Sequence, residues 1–273
     1  MQYVTLHNGI KMPQLGLGVY KIPNEEVVKT VHHALNVGYR SIDTAQYYEN
    51  EQGIGKAIKD ENIPREELFI TTKVWNSHHG YAKTTQAFEE SIEKLGLEYI
   101  DLYLVHWPTP MYDRYIETYR ALEKLYQDGR VKAIGVSNFH IEHLERILHE
   151  CEITPVVNQV ECHPYLQQKK LKDFCEKHQI YVESWSPLAR GRILVDPIIQ
   201  SIAKAHGKTP AQIILRWHIQ ENAIAIPKSI TPRRMEENIQ VFDFELSSED
   251  MQRIAKLDRN ERTGRDPNEM NSL

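Results

Sequence analysis

The sequence predicts an α/β fold, an eight-stranded parallel (β/α)8 TIM barrel with an N-terminal β-hairpin, in one domain over residues 1–273. Three observations predict it. Eight short β-type runs alternate with segments whose apolar residues recur at helical spacing, a pattern that calls for βαβ crossovers and a parallel sheet. Glycines close several of the helical segments. The chain shows no linker, low-complexity tract or internal repeat, and 273 residues suit a barrel domain of about 250.

In chain order, "YVTLHNGIKMP" reads as a hairpin turning at Asn8-Gly9, fit to cover the bottom or side of a barrel. The eight runs follow at 15–20, 39–44, 68–74, 101–106, 132–137, 156–161, 180–185 and 223–227. Between the fourth and fifth, "YIETYRALEKLYQDG" sets Ile116, Tyr119, Leu122, Leu125 and Tyr126 on one helical stripe. Gly38, Gly96, Gly129 and Gly207 end helical segments, where a left-handed residue is needed. An open doubly wound sheet would require G-x-G-x-x-G at the first strand–helix turn. "GLGVYK" has Gly16 and Gly18 but Lys21 in the third place, so that alternative fails.

Composition excludes several functions. The net charge is −5 with both signs interspersed, which leaves no basic stripe for nucleic acid. No apolar run approaches a membrane span, and the N-terminus lacks the basic-then-apolar pattern of a signal peptide. Cys151, Cys162 and Cys175 are an odd number without a C-x-x-C pair, as expected of free thiols in a reducing cytoplasm. No metal site is expected. His140 and His143 form no H-E-x-x-H, and the pairs at 32–33 and 78–79 read as surface histidines. Cys162 and Trp217 read as packing residues.

Polar side chains then line up at the ends of the β runs. Asp43, Lys73, His106, Ser137 with Asn138, Gln159, Trp185 and Lys228 close the second to eighth runs. Lys73 stands 30 residues after Asp43, His106 stands 33 after Lys73, and Ser137 31 after His106. Each step is one strand-plus-helix unit, so these groups recur on the C-terminal rim, where barrels build their active sites. One such residue would read as a cap or turn former; seven consecutive strand ends read as chemistry. Lys73, at the end of an apolar run, needs a carboxylate, and Asp43 is the one at hand. A phenol beside that ammonium would become a better proton donor. Spacing leaves Tyr47 and Tyr48 both open for that part.

The motifs "MPQLGLGVY", "GYRSIDTAQYYENE", "ITTKVW", "DLYLVHWP", "GRVKAIGVSNF", "VVNQVECHPYL", "KTPAQIILRW" and "IPKS…RRMEENIQVFDFEL" carry a further reading. In this order and over nearly the whole chain they resemble the aldo-keto reductase family, in particular its prokaryotic glyoxal/methylglyoxal and 2,5-diketo-D-gluconate reductases. The resemblance implies a catalytic tetrad of Asp43, Tyr48, Lys73 and His106, and it selects Tyr48 as proton donor. It implies NADPH/NADP+ laid across the barrel top. Gly18 and Val19 would touch the cofactor; Ser137, Asn138 and Gln159 would bind its carboxamide; Trp185 would stack on the nicotinamide. Ser186 and Leu188 would follow the pyrophosphate, Lys228, Ser229 and Arg234 would take the 2′-phosphate, and Glu237 and Asn238 would lie near the adenine.

Tyr20, Trp75, His106 and Trp107 would line the substrate pocket. The expected partner is a small carbonyl compound, an aldehyde or α-dicarbonyl, with neither nucleic acid nor membrane. A monomer is favoured, with the oligomeric state left open. A short loop after Trp107 and the polar tail "RNERTGRDPNEMNSL" lead us to expect an open mouth over the pocket. Two other readings compete: a Schiff-base aldolase using Lys73, and a non-catalytic NADPH sensor.

Overall fold

A computed structural model describes residues 1–273. After the hairpin β1 (Tyr3–Thr5) and β2 (Lys11–Pro13), eight parallel strands follow in consecutive order. They are β3 (Leu17–Gly18), β4 (Ser41–Asp43), β5 (Phe69–Val74), β6 (Leu102–Val105), β7 (Ile134–Ser137), β8 (Val157–Glu161), β9 (Tyr181–Trp185) and β10 (Ile224–Ala225). Each lies inside the run expected for it. The ring closes between first and last strands: Gly16 N donates to Ala225 O at 2.9 Å, and Ala225 N to Gln14 O at 3.0 Å. Gly18 bridges Lys228 at the top of the seam. Glycine is required there, because a Cβ on Gly18 would stand 2.9 Å from the Ile226 carbonyl oxygen.

Gly9, at φ 85°, turns the hairpin. Its Val4, Leu6 and Met12 pack with Phe69, Leu102, Leu104, Ala133, Val156, Val157 and Ile224, from the lower and middle parts of the strands. The hairpin therefore plugs the bottom of the barrel. The top is left for the site.

Ten helices complete the fold: α1 (Asn24–Asn36), α2 (Glu51–Asp60), α3 (Tyr81–Leu95), α4 (Tyr115–Gln127), α5 (Ile141–Glu150), α6 (Lys169–Lys177), α7 (Pro197–His206), α8 (Pro210–Gln220), α9 (Pro232–Ile239) and α10 (Ser248–Ala255). Local chemistry sets their ends. Thr209 and Gln212 form a capping box ahead of α8, with Pro210 at its first turn. Gly96 and Gly207, at φ 62° and 63°, close α3 and α7 in the left-handed conformation. On α4 the expected stripe is buried at Ile116, Tyr119, Leu122 and Leu125, with Tyr126 half-buried. Trp217 and Cys162 lie in the core. One histidine departs from expectation: His79 is not on the surface but buried against Thr109, and burial holds its pKa down at about 3. No helix is long and apolar enough to cross a membrane.

Candidate active site

The site starts from one buried ion pair. Asp43 ends β4 opposite Thr71 of β5, so Lys73, two residues on, shares the inner face above it. Lys73 is wholly buried, and its Nζ donates to Asp43 Oδ1 at 2.7 Å and to the Thr44 carbonyl at 2.8 Å. An ammonium at this depth is tolerable only with such partners. Burial raises the Asp43 carboxyl, while Lys73 and Gln159 act against that rise.

Directly after β4 the chain makes a single tight turn, Gln46–Tyr48, ended by Glu49 at φ 56°. That turn sends two adjacent tyrosines to different places. Tyr48 lies over the ammonium, with Lys73 Nζ 5.1 Å from its ring centroid, and packs beside Tyr20 at 5.0 Å and His106 at 5.7 Å. Tyr47 instead stacks on Trp75 at 3.9 Å and stays half-exposed. Tyr47 was not foreseen as a wall residue. Together Tyr20, Tyr47, Trp75 and Trp107 surround Tyr48 and His106, an aromatic cup with Trp107 at 6.5 Å from His106.

The electrostatics of the cup differ from the simple expectation. Burial, then the charges of Asp43, Tyr20 and Glu183, hold the Tyr48 phenol well above its ordinary range. Lys73, paired with Asp43, does not overcome these effects, so the resting phenol keeps its proton. Burial, with Lys73 and His79 adding to it, keeps His106 far below its ordinary pKa, so the imidazole is neutral. Its Nδ1 is buried without a partner. A neutral imidazole can still donate one N–H to a carbonyl oxygen.

Next to the pair lies a network joining β7, β8 and β9. Gln159 Nε2 donates to Asp43 Oδ2 at 2.7 Å and to Glu183 Oε2 at 2.8 Å. Ser137 Oγ donates to the Gln159 carbonyl at 2.9 Å. Asn138, at φ 65°, donates from Nδ2 to the His106 carbonyl and accepts from Trp185 Nε1 at 2.8 Å. Trp185 is thereby fixed at the rim and left half-buried. Glu183 is the residue sequence reading missed. Strand alternation was the available signal: in "IYVESW" it sits two before Trp185, hence on the same inner face.

The rim after β9 and β10 carries the remaining residues. Ser186 at φ 47°, Ala189 at 48°, Arg190 at 53° and Gly191 at 89° make a strained loop around Leu188. Such strain concentrates where backbone groups serve a ligand. Beyond β10, Lys228 and Arg234 are exposed, and Ser229 is buried at the start of the turn that leads into α9. Arg233, not Arg234, pairs with Glu237, at 2.8 Å. Asn238 is buried on the same helix. Gly18 and Val19 lie beneath the rim, with Val19 N donating to Asp43 O and its carbonyl accepting from Asn50.

The expectation of an open mouth is corrected. The polar tail crosses the top of the barrel in an ordered path. Buried Glu161, at the end of β8, accepts from Thr263 N at 2.6 Å, Thr263 Oγ1 at 2.5 Å and Gly264 N at 3.0 Å, with His163 Nε2 also 3.0 Å away. Burial alone would raise this carboxyl; the four donors bring it down to about 2. The stabilisation they supply is complete above the ordinary value of 4.5 and is lost as pH falls toward 2. Gly264 runs so close to the Trp185 ring that a side chain there would collide with it. Farther on, Asp266 meets His140, Asn271 accepts from Met111 N at 3.0 Å, and the Ser272 carbonyl accepts from Asn76 at 2.8 Å. Polar composition suggested disorder; here these polar groups find partners on the rim. The loop between β6 and α4 is short, as expected. Two concavities of about 340 and 450 Å³ lie at the opposite, lower end, lined by hairpin and lower-strand residues, and neither contains any of these groups.

Comparison with known proteins finds relatives over nearly the whole chain. The family model described as "Aldo/keto reductase family" matches residues 12–259. The chain is 53% identical over 268 residues to the glyoxal reductase of Bacillus subtilis, covering 98% of this chain and 96% of that protein. It is 49% identical to the methylglyoxal reductase DkgA of Escherichia coli, covering 97% of each. A 9,11-endoperoxide prostaglandin H2 reductase of Trypanosoma cruzi is 50% identical, over 97% of this chain and 94% of its own length. A crystal structure of a Gox0644 mutant in complex with NADPH superposes with a TM-score of 0.95 at 49% identity, covering 98% of each chain.

Proposed function

The chain belongs to the aldo/keto reductase family, and we propose that it reduces small aldehydes and α-dicarbonyls to alcohols, using NADPH and Tyr48 as proton donor. One barrel domain over residues 1–273 would carry the whole activity. The observation that carries the reading is the Tyr48 phenol set over the buried Lys73–Asp43 pair, with neutral His106 beside it in an aromatic cup.

The residues present fit the cofactor. Lys228 and Arg234 have no carboxylate partner and flank the start of α9, where Lys and Arg complement a phosphate dianion. Ser229 can add its hydroxyl. Glu237 and Asn238 lie farther along α9, on the adenine side. The strained 186–191 loop, with Ser186 and Leu188, suits the pyrophosphate, and half-buried Trp185 offers a face to the nicotinamide. Ser137, Asn138 and Gln159 form the polar floor for the carboxamide. Gly18 and Val19, at the seam beside Asp43 and Lys228, would touch the cofactor from the β3 side.

Bound NADPH supplies a hydride to the substrate's carbonyl carbon. Tyr48 delivers a proton to the carbonyl oxygen as negative charge builds there. His106 orients that oxygen with its N–H. Lys73, fixed by Asp43, stabilises the phenolate that Tyr48 becomes. The cup gives the reacting groups a largely aromatic surround.

The substrate follows from the walls. Tyr20, Tyr47, Trp75 and Trp107 supply area but few polar anchors, and the tail narrows the entrance. Such a pocket favours small, activated carbonyls and discriminates among them weakly. The names of the Bacillus and Escherichia relatives support this class. A screen of NADPH oxidation should rank methylglyoxal, glyoxal and substituted benzaldehydes above ketosteroids and a prostaglandin endoperoxide in kcat/KM. The reverse order would refute the substrate assignment.

Cofactor choice gives a second prediction. Arg234→Ala should weaken NADPH by about tenfold or more and leave NADH nearly unchanged, since only NADPH carries the extra phosphate. The effect should shrink with added salt. Equal losses for the two cofactors would remove Arg234 from the phosphate site.

A further inference from the structure

We propose that Glu183 is a positioning residue of the cofactor site: with Asp43 it takes up both hydrogens of the Gln159 amide and so turns Gln159 Oε1 toward the nicotinamide carboxamide. The inference rests on the NADPH reading above and adds to it a residue that this reading does not use.

A glutamine amide has two hydrogens to donate and one oxygen to accept. Both Nε2 contacts of Gln159 go to carboxyl oxygens, Asp43 Oδ2 at 2.7 Å and Glu183 Oε2 at 2.8 Å. Flipping the amide would set its oxygen against the Asp43 carboxylate, which only accepts, so Asp43 fixes the orientation and Glu183 takes the second hydrogen. What remains for a ligand is Oε1, an acceptor suited to the N–H of a carboxamide. The backbone makes this geometry reproducible, because Gln159 and Glu183 are direct partners across β8 and β9. Trp185, two residues beyond Glu183 on the same face, then lies beside the ring that Gln159 would anchor.

Packing alone does not explain Glu183. It is completely buried, its Oε1 has no protein partner, and the nearby ammonium is already held by Asp43. An apolar residue of similar volume would serve a core better. Burial first, then the Asp43 charge, push the Glu183 carboxyl up to about 8, against the pull of Gln159 and Lys73. Of the two facing carboxyls, Glu183 without a cation partner is the one that favours its proton, which leaves Asp43 to balance Lys73. Losing that proton would add a second negative charge facing Asp43 on β4, Lys73 on β5, Gln159 on β8 and Tyr48 in the turn after β4. An ionised Glu183 raises the Tyr48 phenol, so loss of that proton should weaken the proton donor.

The test uses two variants and two ligands. Glu183→Met removes the acceptor and frees one Gln159 hydrogen. NADPH affinity, followed by tryptophan quenching, should fall about tenfold. Affinity for adenosine 2′,5′-bisphosphate, which lacks the nicotinamide half, should stay within about twofold. A general structural defect would weaken both ligands equally and would overturn the proposal, as would a variant that binds NADPH like the wild type. Glu183→Gln keeps an acceptor oxygen in place without an ionisable proton. It should restore NADPH affinity, and the alkaline fall in kcat/KM near pH 8 should vanish from its profile. Persistence of that fall in Glu183→Gln would overturn the charge argument even if Glu183→Met does not fold. Failure of the wild type to bind NADPH would strike the underlying reading instead, and the first titration would reveal it.

Discussion

Carbonyl reduction by Tyr48→Phe is expected to fall by about a hundred- to ten-thousandfold, with NADPH affinity nearly unchanged. A positioned general acid contributes rate of that order, and phenylalanine fills the same space without the proton. The neighbours make the loss hard to bypass. Tyr47 faces the other way, stacked on Trp75 at 3.9 Å, and His106 is held neutral by burial. Neither can readily take over. Because the phenol is pushed up by burial, wild-type reduction should not lose its donor by direct Tyr48 ionisation at neutral pH. Steady-state kinetics with methylglyoxal and an NADPH titration decide the matter. If the variant keeps most of its kcat, Tyr48 is not the donor.

Lys73→Met should abolish activity and also lower folding stability by about 3–5 kcal/mol, because it leaves a buried carboxylate without its cation. The Lys73–Asp43 pair, at 2.7 Å with both side chains almost wholly hidden from solvent, is where such a cost should be largest. The pH dependence has a definite sign. Burial already raises Asp43, and without Lys73 its folded pKa rises further above the unfolded value. That group's contribution is then most favourable below the unfolded pKa and is lost as pH rises through the folded one. The variant's deficit should therefore be larger at pH 8 than at pH 5 in urea titrations. Adding Asp43→Leu should recover much of the stability and none of the activity. Recovery of both would mean that the pair is structural only.

The alternation of β runs and helical stripes, the helix-ending glycines and the polar strand ends were legible in the chain because each is a local property. A strand end bearing Asp43, Lys73 or His106 follows from period-two geometry and the length of one βα unit. The resemblance of the motifs then attached NADPH and a reductase fold to those positions. Other features could not be read in this way. Nothing in "AQYYENE" states that the tight turn lays Tyr48 on Lys73 and sends Tyr47 to Trp75. His79 looked like a surface residue, as one half of an exposed-looking pair.

Sequence by itself thus determined the barrel, the height of its polar ring and the family. Tertiary structure decided which tyrosine meets the ammonium, that Glu183 shares Gln159 with Asp43, and that a polar tail lies ordered across the rim. Backbone periodicity repeats every few residues and can be read one segment at a time. The tail clamp joins Glu161 to Thr263 across 102 positions, and the Asp43–Gln159 bond spans 116. A polar group's partner, and hence its charge and orientation, is set only when the closed barrel brings such distant segments within hydrogen-bond reach.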